Sequence, residues 1–100
     1  MRYIILSKTH GIFVGTVVGY ALFSKSSVVG TYKAYTFDSD KNATEYINKN
    51  FKDKSYTDFF SGHVEIDTEY ASCVDLIKNG YEEYVGYMLD FMPMISESIH

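Results

Sequence analysis

Between Arg2 and Phe37 the chain is a succession of short β-forming runs, and the breaks between them are too short for anything but antiparallel neighbours. Arg2–Ser7 is β-branched and aromatic and reads as a first strand. Lys8-Thr9-His10-Gly11 reads as a turn, and Ile12-Phe13-Val14 opens a second extended segment. Gly15 and Gly19 interrupt that segment around Thr16-Val17-Val18, and Tyr20-Ala21-Leu22-Phe23 continues it or forms a third strand. Ser24-Lys25-Ser26-Ser27 breaks the pattern, and Gly30 allows a further bend after Val28-Val29. Strong β-formers return in Thr31-Tyr32-Lys33-Ala34-Tyr35-Thr36-Phe37. Parallel strands need a crossover of a dozen or more residues. The pattern therefore predicts an antiparallel meander of three N-terminal strands.

The rhythm then changes. Ser39 is a good helix N-cap, with Asp40 in the first turn where the helix dipole favours an acid. Ala43, Tyr46, Ile47 and Phe51 follow at near-helical spacing, and Lys49, Lys52 and Lys54 stand where cations suit the dipole. This predicts a helix over 39–51 with one face on the sheet. His63-Val64-Glu65-Ile66-Asp67 alternates, which predicts a short strand over 63–67. Thr68 is a plausible cap for a second helix over 68–79, with Tyr70, Cys73, Val74 and Ile77 as its buried stripe and Asn79-Gly80 as its stop. Residues 81–92 fit either a helix burying Tyr81, Tyr84, Val85, Met88 and Met92 or a strand with Asn79-Gly80 as a hairpin turn. The helix is favoured, because a strand starting at Tyr81 would place Glu83 among apolar residues. Pro93 stops either one, and residues after about 94 are expected to fray. The fold class expected is α+β, a small antiparallel sheet packed by two or three helices, in a single domain spanning residues 1–100.

Ten Tyr, seven Phe and no Trp give this small chain a heavy aromatic load. Tyrosine serves equally in a core and at an interface. Cys73 is the only cysteine, so an internal disulfide and a cysteine metal cluster are excluded. It lies on the apolar stripe of its expected helix, where a lone thiol is ordinarily inert packing. The N-terminal apolar run is too short for a signal-peptide core, and residues 9–24 fall short of a membrane helix. A cytoplasmic protein is the default expectation.

Three patterns resemble chemistry and are better read as structure. Gly11, Gly15 and Gly19 recur every four residues, but a dinucleotide fingerprint needs a different spacing between a strand and a helix. His63, Glu65 and Asp67 would share one face of a strand, yet such neighbours are almost 7 Å apart at a rise of ~3.3 Å per residue. A metal ion needs its ligand atoms about 2 Å from one centre. The carboxylates of the second half lack a predicted cleft to raise their pKa values. No catalytic, cofactor or metal site is expected.

Charge is divided unevenly. Residues 1–54 carry eight bases against four acids, and residues 55–100 carry one base, Lys78, against nine acids. The second half is thus expected to contribute an acidic surface that repels nucleic acid and attracts basic protein surfaces. On the helical reading of 81–92, Glu83, Tyr87 and Asp90 lie at i, i+4 and i+7, with Glu82 near. A ring flanked by acids is the kind of anchor that fits a basic groove. Glu82, Glu83, Tyr87 and Asp90 are the candidate partner-binding residues, with Glu69 and Asp75 as secondary candidates.

Gly11-Ile12-Phe13-Val14-Gly15, Gly19-Tyr20-Ala21-Leu22-Phe23-Ser24 and Ala34-Tyr35-Thr36-Phe37-Asp38-Ser39, followed by Tyr46-Ile47 near a helix end, resemble the N-terminal pattern of small phage and prophage accessory proteins. The likeness covers the first half, and a Trp often found after the aromatic of the aromatic-Ser pair is missing. It implies a viral protein acting in a host bacterial cytoplasm, of the class that includes anti-CRISPR and anti-restriction inhibitors. The function expected is a non-enzymatic inhibitor that binds a basic host protein such as a CRISPR effector or nuclease, with no direct nucleic-acid or membrane contact. The alternative is a homo-oligomeric sponge for a small molecule or nucleotide, using aromatic stacking and the N-terminal lysines. Homodimerisation or further self-assembly is a third reading.

Overall fold

In the computed structural model, which describes residues 1–26, 33–51, 58–84 and 87–94, the N-terminal runs fold as their turns require. Strands β1 (Arg2–Ser7), β2 (Gly11–Val17) and β3 (Tyr20–Ser26) form an antiparallel meander. The β2–β3 turn is Val18-Gly19, with φ of +39° and +81°. Positive φ at both positions is what a two-residue primed hairpin turn demands. Glycine accepts it without cost, whereas a β-branched valine there is strained.

Beyond the meander come β4 (Ala34–Tyr35), helix α1 (Asp40–Asn50), β5 (Phe59–Val64), β6 (Tyr70–Ala71), helix α2 (Cys73–Lys78), a 3₁₀ turn (Glu82–Tyr84) and β7 (Tyr87–Pro93). The main sheet has the order β5-β1-β2-β3-β7, antiparallel throughout, and β4 pairs with β6 in a separate two-stranded ribbon. The protein is thus an α+β fold. Ser39 caps α1, its side chain accepting from the Asn42 N–H, as the sequence predicts. Lys52 and Lys54, expected to favour the helix end, lie outside the described residues, as do residues 95–100.

Alternation along the strands sorts the core into two layers. Ile4, Leu6, Ile12 and Val64 face Ala34, Ala71 and Leu76 on one side of the sheet. Ile5, Phe13, Ala21, Phe23 and Met92 face Phe37, Ala43 and Phe51 on the other, with Tyr46 and Ile47 of α1 packed against them. β1 is accordingly buried on both faces, which is why Ile4-Ile5-Leu6 is an unbroken apolar run.

Three expectations are corrected. Residues 81–92 are not a helix. Glu82–Tyr84 make a single 3₁₀ turn, and Tyr87–Pro93 pair along the whole of β3, from Ser26↔Tyr87 to Tyr20↔Pro93. The strand begins beyond Glu83, so the objection that a strand would bury that acid does not arise. The open edge of β3 offers a ladder of backbone hydrogen bonds that a local helical stripe cannot match.

The strand expected at 63–67 lies earlier, at Phe59–Val64, because β1 pairs with it from Ser7↔Phe59 to Arg2↔Val64. Glu65 and Asp67 follow the strand rather than lying on its outer face. Gly62 has a packing reason, since a Cβ there would come within 2.5 Å of the Tyr81 hydroxyl oxygen and 2.9 Å of Leu6 Cδ1.

The helix expected over 68–79 is shortened to Cys73–Lys78. The Thr36 N–H and hydroxyl donate to the Glu69 carbonyl at 3.2 and 2.6 Å, which draws the chain before Ala71 into the ribbon with β4. The cap is Ser72, not Thr68. Its hydroxyl accepts from the Asp75 N–H, and the Asp75 carboxylate accepts from the Ser72 N–H at 2.9 Å, a reciprocal capping box. From that start Leu76 turns inward with Cys73 half-buried, and Val74 and Ile77, expected in the buried stripe, face solvent.

Candidate functional site

The stretch from Glu65 to Tyr84 carries both exposed acids and exposed large apolar side chains. Glu65, Asp67, Glu69, Glu82 and Glu83 are all exposed, and Lys78 is the one base among them. In the same stretch Val74 is 62% exposed, Tyr70 46% and Ile77 46%. Val74 and Ile77 depart from the usual rule that an amphipathic helix hides its large apolar side chains, and Tyr70 is exposed on β6. The fold explains how they come to be outside. α2 has only six residues, and its capping box fixes which of them point inward. Tyr70 is held on the ribbon opposite Tyr35, their rings 5.8 Å apart and nearly edge-to-face.

The residues singled out from sequence fall unevenly across this surface. Glu82, Glu83 and Glu69 are on it. Asp75 has another task, capping α2. Hydrogen bonds from the Ser72 N–H and hydroxyl hold its carboxyl below the usual carboxylate range. The face expected to unite Glu83, Tyr87 and Asp90 at helical spacing does not form, because residues 87 and 90 lie in extended β7. The side chains of Tyr87 and Asp90 lie outside the described residues. Tyr70, Val74 and Ile77 were missed as surface residues because their helical spacing signals burial just as well.

A second cluster has the residue types of nucleophilic catalysis but a different geometry. Ser7 is buried at the end of β1, and its hydroxyl donates to the Asp58 carboxylate at 3.0 Å. The same oxygen accepts from the N–H groups of Thr9 and His10, at 3.1 and 2.9 Å. In a Ser–His–Asp triad the serine hydroxyl donates to the histidine. Here it donates to the acid and accepts two turn amides, which fastens the β1–β2 turn to the start of β5. Burial pushes the Asp58 carboxyl up. The hydrogen bonds from Thr9 and Ser7 outweigh it and hold the group below its ordinary range.

The third feature is an aromatic cleft of about 210 Å³, lined by Phe13, Gly15, Thr16, Tyr35 and Tyr46. β2, β4 and α1 each contribute a ring, so no local motif announces it. The register of β2 against β3 shifts between Phe13 and Gly15, a bulge that bends the strand at the mouth of the cleft. Among the described residues, none other than its chain neighbours comes within 4 Å of where a Gly15 Cβ would stand. Phe13 and Phe37 lie roughly parallel, 22° apart, and Tyr35 stands perpendicular to both, at 88° and 90°. Tyr46 closes the other side, 5.4 Å from Phe13 and 5.2 Å from Phe37 between ring centres. Burial, and secondarily the neighbouring Tyr35, push the Tyr46 phenol above its ordinary range.

Among the described residues no group of three or more His, Cys, Asp or Glu side chains converges as metal ligands would. No helix among them is long and apolar enough to cross a membrane. No family model, curated protein or solved structure matches the chain.

Proposed function

We propose that this protein is a non-enzymatic binding protein whose surface over residues 65–84 docks onto a basic surface of another protein. The observation that carries the reading is the exposure of Tyr70, Val74 and Ile77 within a stretch bearing five exposed carboxylates and one lysine. Exposed rings and aliphatic side chains supply contact area at an interface core. Surrounding carboxylates steer a cationic partner and disfavour nucleic acid. Glu69, Glu82 and Glu83 are the steering charges, and the three apolar residues are the anchors. The resemblance of the first half to phage accessory proteins supports a host target with a basic nucleic-acid groove, such as a CRISPR effector or nuclease, met in the bacterial cytoplasm.

The test is capture of partners from bacterial lysate by the tagged protein and by its Glu69→Lys/Glu83→Lys variant, at low and moderate salt. A partner held at low salt should be released at moderate salt, and the variant should associate about tenfold more slowly. A partner held equally by both proteins at both salts would remove this surface from consideration.

A further inference from the structure

We propose that Asn79 is a modification site, an asparagine that the native fold protects from conversion to isoaspartate and that becomes reactive when α2 opens. The inference does not depend on the docking reading.

The chemistry starts from the sequence. Asn79-Gly80 is the one Asn-Gly pair in the chain. Glycine has no side chain to shield its own nitrogen, so this pair closes readily to a succinimide. The Gly80 nitrogen attacks Asn79 Cγ, the new Cγ–N bond replaces the Cγ–Nδ2 bond, and the Gly80 amide proton leaves with Nδ2 as ammonia. Water then opens the ring at either carbonyl, giving aspartate or isoaspartate. No other reagent is needed.

The fold opposes each requirement of the first step. Ring closure needs Asn79 Cγ and the Gly80 nitrogen on the same side of the Cα–C bond, a large rotation from the ψ of 10° at Asn79. The side chain is tied at both of its polar atoms. Nδ2 donates to the Asp75 carbonyl at 2.8 Å, and Oδ1 accepts from the Glu65 N–H at 3.0 Å. The attacking nitrogen is engaged as well, its N–H donating to the Ile77 carbonyl at 3.1 Å.

Asp75 and Ile77 belong to α2, so these restraints last only while α2 is formed. That helix has six residues, Leu76 is the one buried among them, and its start is held by the Ser72–Asp75 capping box. An element with so little buried apolar area opens at lower cost than the sheet beneath it. Reaction in the open form then opposes reclosure. Aspartate would set a carboxylate oxygen where Nδ2 meets the Asp75 carbonyl, acceptor against acceptor. Isoaspartate lengthens the main chain by a methylene and displaces Gly80 and Tyr81, whose N–H groups bond to Ile77 and Leu76. Residue 79 thus keeps a covalent record that α2 has opened.

The experiment incubates the full chain at neutral pH, native and in urea. Peptic peptides containing Asn79 are followed by mass spectrometry, with chromatographic separation of the aspartate and isoaspartate forms. Conversion in urea should outpace the native rate about tenfold or more. In the native state, Ser72→Ala removes the cap and should speed conversion about fivefold, whereas Phe23→Leu, on the far face of the sheet, should leave it unaltered. Equal rates in urea and in the native chain, or equal acceleration by Ser72→Ala and Phe23→Leu, would overturn the proposal. The urea comparison uses the unaltered chain, so it holds even if a variant fails to fold.

Discussion

Under α1 the sheet is covered by rings: Phe13, Phe23, Phe51 and Phe59 touch one another at centroid distances of 5.0 to 5.7 Å. On the opposite face the cover is a two-residue ribbon strand, a six-residue helix and a 3₁₀ turn, with Ala71 and Leu76 the buried contacts they make. Polar ties hold these short pieces where apolar area does not. Thr36 donates to Glu69, Arg2 bridges Thr36 and Asp38 at 2.8 and 2.5 Å, Ser72 and Asp75 cap one another, and the Tyr81 hydroxyl donates to the His63 carbonyl at 2.9 Å. The contrast shows a division of labour. Large rings on one face secure the sheet, and the other face is free to leave Tyr70, Val74 and Ile77 outside.

The most direct way to break this comparison is to hollow out each face in turn. Phe23→Ala should lower the free energy of unfolding by about 3–5 kcal/mol, measured by urea titration. Leu76→Ala should cost about 2 kcal/mol, the low end for such a change, because a six-residue helix on the surface can settle into the space. Equal losses would show that both faces belong to one cooperative core.

A smaller effect tests the polar ties. Ser72→Ala should cost about 1 kcal/mol through the lost cap. Asp58 and Asp75 both have carboxyls lowered in the folded state. Such groups add stability that is present above the ordinary carboxylate pKa and lost as the pH falls through the lowered folded values. Acid titration of unfolding should therefore show a limb below about pH 4, and Asp75→Asn should flatten it. An unchanged limb would mean that the ties on the α2 face contribute nothing measurable.

The smallest effect lies at the β2–β3 turn, away from both faces. Val18 is 90% exposed at a φ of +39°, a conformation that costs an ordinary L-residue about 1–2 kcal/mol. Val18→Asn should raise stability by about 0.5–1 kcal/mol, since asparagine tolerates that region. No gain in thermal midpoint would mean that the exposed valine is stabilised by contacts the hairpin itself supplies.

What the sequence reveals follows the range of the interactions involved. β1, β2, β3 and α1 are legible because local signals determine them: glycines at turns, alternation, and Ser39 ahead of Asp40. β7 is not, because its partner β3 lies more than sixty positions away and its own pattern fits a helix. The ends of α2 are misjudged for a related reason. Thr68 reads as a plausible cap, but the Glu69 carbonyl accepts from Thr36, just past β4, and the helix starts instead at Ser72. The acidic character of the second half is legible as composition. Its apolar partners are not, since Val74 and Ile77 at helical spacing signal burial. The cleft escapes sequence reading altogether, because Phe13, Tyr35 and Tyr46 meet only after three elements have packed.

The order of strands in the sheet also sets a timetable. The meander β1–β2–β3 is synthesised before β5 and β7, the strands that flank it in the sheet. β5 and β7 fill those flanks by pairing with residues made more than fifty positions earlier. Until Tyr87–Pro93 emerges, the edge of β3 presents an unsatisfied row of backbone donors and acceptors to any neighbouring chain. The nascent chain therefore stays vulnerable to aggregation along β3 until β7 is made, and removal of β7 would make the exposure permanent.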